Sequence, residues 1–385
     1  MPEYPVLRIT SFALAMKSIR IAICLLTCVA CAATMFAKSQ LTVWDKGEQA
    51  PVVGASVISS QGIIMGVTDV NGGIKLADKD FPVSVRSIGY ESATADNHID
   101  TLFMAPATYA ISEVTVSPAS RPITRVVTYA REYCTGATPS DTMQMYGEYM
   151  LEYFFADGKV KGFRKSDTSA RELNRRCYGR LANSAGLDSL LRPNPEDDIS
   201  SLSFMKIISL VPGGEKKAPE TFMQGATTDT VQGKFYPKVA FRKFNDFFTV
   251  DHDALADYKD HHWEPWFFKM FGLTMDLTTV KCREAYRYSD SGKYTIREFL
   301  YGTCNLHIIA KGKLFKKIMR VKDAMEIDSY IEEYPVSIEY LTPEEYKELR
   351  NEKNRSQEFV MPANTLPLAP AIQSLIDPIN HKVSR

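Results

Sequence analysis

Two short runs hold residues whose types and spacing could do chemistry. His261-His262-Trp263-Glu264 spells H-x-x-E, a His and a Glu three residues apart, and His381 lies downstream as a third possible ligand. Two His and one Glu around zinc would activate a water for amide hydrolysis. The second run, Asp69-Val70-Asn71-Gly72, opens like a calcium loop. A loop starting at Asp69 needs Gly at its sixth position and a bidentate Glu at its twelfth. The chain has Ile74 and Asp80 there, one unable to make the sharp turn and the other too short for the grip. The run therefore reads as a turn. Asn71 and Gly72 tolerate positive φ, and Ile63, Ile64 and Val67 before them and Ile74 and Leu76 after them are strand formers, which predicts a hairpin.

A third feature is aromatic. Trp263, Trp266, Phe267, Phe268 and Phe271 crowd beside the histidines, and Tyr146, Tyr149, Tyr153 and Phe155 form a second set. Aromatic faces bind sugars and partner proteins, so Trp263, Trp266, Phe267, Tyr149 and Tyr153 are candidate binding residues. The competing reading is core, since burying each such side chain contributes about 1.5–3 kcal/mol. Asp251, His252, Asp253 and Asp257 form an acidic patch that reads as the start of a helix before Leu255. P-loop, nucleophile-elbow, dinucleotide and HExxH motifs are all missing from the sequence, so no cofactor is expected.

The elements that must position these residues begin after an export signal. Lys17 and Arg20 precede the apolar run Ile21 to Ala33, with small residues at Ala33 and Ala37 where a peptidase could cut. Residues 1–37 are thus expected to be removed, and 1–15 read as an over-extended start, because Met16 begins a more ordinary signal. Cys28 and Cys31 offer a lipid anchor as the rival fate, in imperfect lipobox contexts. The 385 residues carry 46 basic and 46 acidic side chains, and loss of the signal leaves the chain near −2, without the basic field that nucleic acid or anionic lipid would need. Cys134, Cys177, Cys282 and Cys304 remain, allowing two disulfides in three connectivities or buried thiols.

From Leu41, short β-type runs alternate with turn residues every several positions, the pattern of a small sandwich. Pro51, Gly54-Ala55, Val57, Gly66, Thr68-Asp69, Asn71-Gly72, Ile88-Gly89-Tyr90, Leu102 and Glu113-Val114-Thr115-Val116 follow in order. Residues 40–117 resemble the carboxypeptidase-regulatory-like domain of exported Gram-negative proteins. The resemblance implies a seven-stranded transthyretin-like β-sandwich in which Gly54, Asp69, Asn71, Gly72, Gly89 and Tyr90 are structural. It also implies an accessory module, found beside peptidase domains or at the start of TonB-dependent receptors. In those peptidases the sandwich follows the catalytic domain, whereas here it comes first, which counts against the zinc reading.

Residues 118–122 read as a linker and 123–353 as an α+β domain. Pro122, Ile123, Val126, Val127, Ala130 and Cys134 fall at helical spacing, and 168–191 also reads as helix. Met143 to Phe155 reads as a strand. Ser189 to Glu220 reads as loops around the apolar segment Leu202 to Val211. An antiparallel meander is expected over 239–248, 274–288, 294–310, 314–321 and 324–340. Thr342-Pro343-Glu344-Glu345 is a capping box that opens a helix. Residues 354–385, with prolines at 362, 367, 370 and 378, read as an extended tail. This order weakly resembles envelope proteins of unknown function that carry the same sandwich, without their barrel. The expected fold is mainly β / α+β. The expected role is a non-catalytic binding module of the periplasm or outer membrane, taking an envelope protein or glycan; the alternative is a zinc-dependent carboxypeptidase-like hydrolase using His261 and Glu264.

Overall fold

A computed structural model describes residues 39–107, 120–183, 188–191, 210–244, 246–270, 272–288, 292–319, 321–352, 355–363 and 365–383. The signal at 1–37, the closing strand expected at Glu113–Val116 and most of Leu202–Val211 lie outside them. The chain is mainly β, as expected, and no helix among the described residues is long and apolar enough to cross a membrane.

Among the described residues seven strands make the N-terminal sandwich: β1 (Ser39–Asp45), β2 (Ser56–Ser59), β3 (Ile64–Val67), β4 (Gly73–Leu76), β5 (Val83–Arg86), β6 (Ala93–Ala95) and β7 (Thr101–Met104). They form one sheet of order β4-β1-β7 and another of order β3-β2-β5-β6. Alternate residues such as Leu41 and Val43 on β1 and Val83 and Val85 on β5 point inward and meet in one core with Val57, Tyr90 and Met104.

The Asp69–Gly73 turn lies where the sequence puts it, but it is not a hairpin. β3 pairs with β2 and β4 pairs with β1, so the turn carries the chain from one sheet to the other. Asp69 Oδ1 accepts from the amides of Asn71 and Gly73, each at 2.8 Å. Gly72 has φ +73°, and a Cβ there would stand 2.5 Å from the Val43 carbonyl, so only glycine fits. Asp69→Ala removes both side-chain bonds and should destabilise the protein by about 1–3 kcal/mol, read as a lower denaturant midpoint.

Twelve further strands follow among the described residues: β8 (Ile123–Ala137), β9 (Asp141–Ala156), β10 (Arg171–Asn183), β11 (Asp188–Leu191), β12 (Lys216–Lys217), β13 (Thr228–Gln232), β14 (Pro237–Lys243), β15 (Phe247–Asp253), β16 (Thr274–Arg287), β17 (Lys293–Tyr294), β18 (Phe299–Lys311) and β19 (Met325–Leu341). Ten of them form one antiparallel sheet of order β11-β10-β9-β8-β19-β18-β16-β15-β14-β13, and β12 pairs with β17. The chain runs outward from β8 to β11, restarts at the far edge with β13 and returns inward until β19 closes against β8. Among the described residues five α-helices accompany them: α1 (Glu220–Met223), α2 (Trp266–Lys269), α3 (Lys313–Met319), α4 (Pro343–Asn351) and α5 (Pro370–Val383).

Several expectations are corrected. Residues 123–134 are strand, not helix: β8 is central and buried on both faces, so its apolar residues lose the alternation that marks a half-buried strand. Residues 168–191 contain β10 and β11. Residues 314–321 are largely helix, with Phe315 and Met319 buried four apart, as on one helical face. The tail is not merely extended. Pro370 opens α5, and Ile372, Leu375 and Ile376 bury one face of it against Tyr133, Tyr146 and Tyr178. Helix α4 is as expected, with Thr342 Oγ1 accepting from the Glu345 amide and Glu345 Oε2 from the Thr342 amide. Cys282 and Cys304 face each other on β16 and β18 and form a disulfide, while Cys134 and Cys177 are buried thiols.

The large sheet has two unlike faces. One carries the main apolar core, with Val126, Ala130, Tyr149, Tyr153 and Ile331 packed beneath Leu210, Phe222 and Phe315. The other carries Tyr129, Arg131, Tyr133, Tyr330, Glu332 and Tyr334, and the sandwich and tail cover it. Gly89 N donates to the Tyr301 hydroxyl at 3.0 Å, Ser56 Oγ to Asn305 Oδ1 at 2.7 Å, and Arg283 to Val53 O and Ser87 Oγ, each at 2.7 Å. Tyr90 donates to Asp45 Oδ2 at 2.8 Å and meets the Phe244 ring edge-on, so the Ile-Gly-Tyr run forms part of the joint between the sandwich and the sheet. Gly54 N donates to Thr68 O within the sandwich.

Candidate functional site

At the end of β15 the chain leaves the sheet and returns at β16, and the intervening loop carries the H-x-x-E run. Asp253 Oδ1 accepts from the Leu255 amide, and Asp260 and His261 adopt left-handed backbone (φ 59° and 49°), which bends the loop back. Trp263 is then tied to β16 by two 3.0 Å backbone bonds with Leu277. Pro265 precedes α2, which carries Trp266 and Phe267; of the Phe267 side chain nothing is described.

The rings gather on the outside. Tyr236 stacks on His261 with centroids 3.7 Å apart, and Tyr258 and Trp263 are 6.1 Å apart. Trp263 is 37% exposed, Trp266 72% and Met270 73%, and Phe235, Tyr236 and Tyr258 are also exposed. An apolar surface of this kind holds little for a lone molecule but much for a partner that covers it. Tyr149 and Tyr153 do not join it. They are 1% and 0% exposed, on the core face of β9, where the Tyr153 hydroxyl donates to Glu333 at 2.7 Å. Strand alternation on a central strand turned those rings inward.

The zinc set is not assembled. His261 Nδ1 stands 3.4 Å from Asp253, His262 Nδ1 2.6 Å from Asp276, and Glu264 accepts from Lys269 Nζ at 3.0 Å. His381 lies on α5, which packs by β10, while His261 stands by β15, and five strands intervene. That is roughly 29 Å along the sheet. Among the described residues no group of three or more His, Cys, Asp or Glu is placed to hold a metal ion. The acidic patch is also not a helix start: Asp251 to Asp253 end β15, and Asp251 pairs with Arg283.

Two constellations escape sequence reading because they exist only through strand register. The first is ionic. Glu332, 1% exposed, accepts from Arg86 at 2.7 Å and also from Arg131, and the hydroxyls of Tyr330 and Tyr334 donate to it at 2.7 and 3.2 Å. Burial pushes its carboxyl up, but Arg131 and Arg86 outweigh burial and hold it at about 2. The second is a cleft of about 360 Å3 between the β2–β3 turn of the sandwich and the large sheet.

No protein-family model and no curated protein matches the chain. Among solved structures, one of lipovitellin, concerned with its lipid–protein interactions, is similar over 58% of this chain and 26% of that one, at 10% identity and a TM-score of 0.28. This chain therefore spans about a quarter of that protein, and a likeness at this level carries no argument.

Proposed function

We propose that the protein is a non-catalytic, exported envelope module that docks a partner protein through the aromatic patch around Trp263 and Trp266. The observation that carries this reading is the exposure of Tyr258, Trp263, Trp266 and Met270, all within the segment that joins β15 to β16. Tryptophan and tyrosine are the residues most enriched among those that dominate binding energy at interfaces. A protein is favoured over a glycan because the same segment also exposes the thioether of Met270, and the exposed Phe235 is tied to it through its amide to Ala256 O, which adds plain apolar surface. The nearby imidazoles and Glu264 have their own carboxylate and lysine neighbours, which supports binding over hydrolysis. Export rests on the Lys17 to Ala37 segment.

The test is co-purification of full-length protein from the cell envelope after cross-linking, with Trp266→Ala, Met270→Ala and the double variant alongside. Both positions are exposed, so stability should change by no more than about 0.5 kcal/mol. Partner capture should fall at least about tenfold in the double variant, the consequence of losing roughly 1.4 kcal/mol or more at a binding centre. Undiminished capture would remove the patch as the docking surface. Quenching of tryptophan fluorescence by envelope polysaccharide, lost in Trp266→Ala, would replace the protein partner by a glycan.

A further inference from the structure

The segment that carries the aromatic patch is one of three connections gathered at one end of the large sheet. Register sets Val239 of β14 opposite His252 of β15, Thr274 of β16 opposite Lys311 of β18, and Ala310 of β18 opposite Met325 of β19. The β13–β14 turn, the β15–β16 segment and the β18–β19 connection therefore leave the sheet side by side. Hydrogen bonds tie them into one surface. The amides of Phe235 and Lys234 donate to Ala256 O and Asp257 Oδ1, and the Leu314 amide donates to Gly272 O at 3.0 Å, two residues past Met270. Helix α3 lies in the third connection. It buries Phe315 and Met319 and turns Lys313, Lys316 and Lys317 outward together with Leu314, which is 37% exposed.

The charges of these connections are unbalanced. Their carboxylates are mostly engaged within the chain: Asp257 pairs with Lys238 at 2.6 Å and Glu264 with Lys269 at 3.0 Å, while His261 and His262 stand against Asp253 and Asp276. Outside those pairs the connections expose Lys259, Lys313, Lys316, Lys317 and Lys322, against Asp260 and Asp323. The chain as a whole has equal numbers of basic and acidic residues, so the surplus is local. A rim of one sign around an apolar centre selects a partner of the opposite sign, because complementary charge speeds encounter and like charge rejects wrong partners.

We infer that the docking patch takes an acidic protein, one whose apolar contact with Trp263, Trp266, Met270 and Leu314 is flanked by carboxylates that meet Lys313, Lys316 and Lys317. The inference rests on the reading of the patch as a docking surface and adds the chemistry of its partner. An anionic lipid surface would meet the same lysines, but it would also press negative charge on Asp260 and Asp323, which stand exposed in the same connections. A protein surface places a carboxylate opposite each lysine and omits it opposite each aspartate, which favours the protein.

Fluorescence anisotropy of labelled poly(Glu,Tyr), an acidic random copolymer, tests the assignment on the full-length protein, with poly(Lys,Tyr) as the probe of opposite charge. The acidic copolymer should bind and the basic one should not. Raising NaCl from about 0.1 M to about 1 M shortens the screening length from about 10 Å to about 3 Å and should weaken binding by at least about tenfold. Lys316→Glu with Lys317→Glu should do the same at low salt. Lys159→Glu with Lys161→Glu makes an equal change of charge just past β9, at the opposite end of the sheet, and should leave affinity within about twofold. All four lysines are exposed, and unchanged melting checks that the variants fold. Cross-linked capture from the envelope, repeated at both salt concentrations, separates this inference from the docking reading beneath it. Capture that is lost in the Trp266→Ala, Met270→Ala double variant but indifferent to salt and to the Lys316, Lys317 reversal keeps the patch and overturns the acidic partner. Capture indifferent to the double variant removes the patch and this inference with it. Equal binding of the two copolymers, or none of the acidic one, overturns the proposal. Tighter binding to phosphatidylglycerol vesicles than to the acidic copolymer, lost in the same lysine variant, replaces the protein by a lipid surface.

Discussion

Glu332→Gln should cost about 3–5 kcal/mol of folding stability, the penalty for leaving a buried charge without its counter-ion. The substitution keeps the shape of the side chain but leaves Arg86 and Arg131 facing a neutral amide at a site where water does not reach. Both guanidiniums keep one bond each, to Pro367 O and Leu366 O, so the loss is electrostatic rather than a collapse of packing. A paired experiment separates this from mere sensitivity of the region. Glu339→Gln breaks the ion pair with Arg125 at a carboxylate that is 46% exposed, and it should change stability by under about 1 kcal/mol. The acid limb provides a second reading of the same charge. The Glu332 carboxyl is held at about 2 in the folded protein against an ordinary 4.5. A depressed carboxyl stabilises fully above its unfolded value and loses that contribution as pH falls through its folded value. The stability curves of the wild type and Glu332→Gln should therefore converge between pH 4.5 and 2. A constant gap across that window would show that the variant acts through packing.

The sandwich was legible because its signals are local. Asp69, Asn71 and Gly72 make one turn from contiguous residues, and Leu41 and Val43 alternate on a strand with one buried face. The long strand β8 was misread for the opposite reason. Neighbours cover it on both faces, so Val126, Val127, Ala130 and Cys134 need not alternate, and their spacing fits a helix equally well. What separates the two is the β-branched and aromatic content of Ile123 to Tyr129, a weaker cue than period. The aromatic sets show the same limit. Trp266 and Tyr153 look alike in sequence, yet one lies exposed on the short helix α2 outside the sheet and the other on the sheet's buried face. Arg180, Gln144, Thr135 and Asp328, which line the cleft, come from four strands whose adjacency is complete only when β19 closes against β8. No window of sequence contains that fact.

The tail supplies the largest expected effect. Ending the chain at residue 352 should leave a protein that aggregates or melts without cooperativity, although the prolines of 354–385 suggest a dispensable extension. Removal takes away Leu366, Ile372, Leu375 and Ile376, all buried, and opens Tyr133, Tyr146 and Tyr178 to water. At about 1.5–3 kcal/mol for each large apolar side chain, the loss exceeds roughly 6 kcal/mol before polar contacts are considered. Those are also substantial: Arg355 pairs with Glu152, which is 0% exposed, Asn174 Nδ2 donates to Gln357 O at 3.0 Å, and Arg176 lies over the Phe359 ring at 4.5 Å. Against a typical total of about 5–15 kcal/mol, this is enough to unfold the chain. A milder variant keeps the reasoning open to refutation: Ile372→Ala should lower stability by about 2–5 kcal/mol while the sheet stays folded. If the truncated protein unfolded cooperatively within about 1 kcal/mol of the full chain, the tail would be an ornament on a sheet that is complete without it, and the covered face of Tyr133 and Arg131 would need another stabiliser.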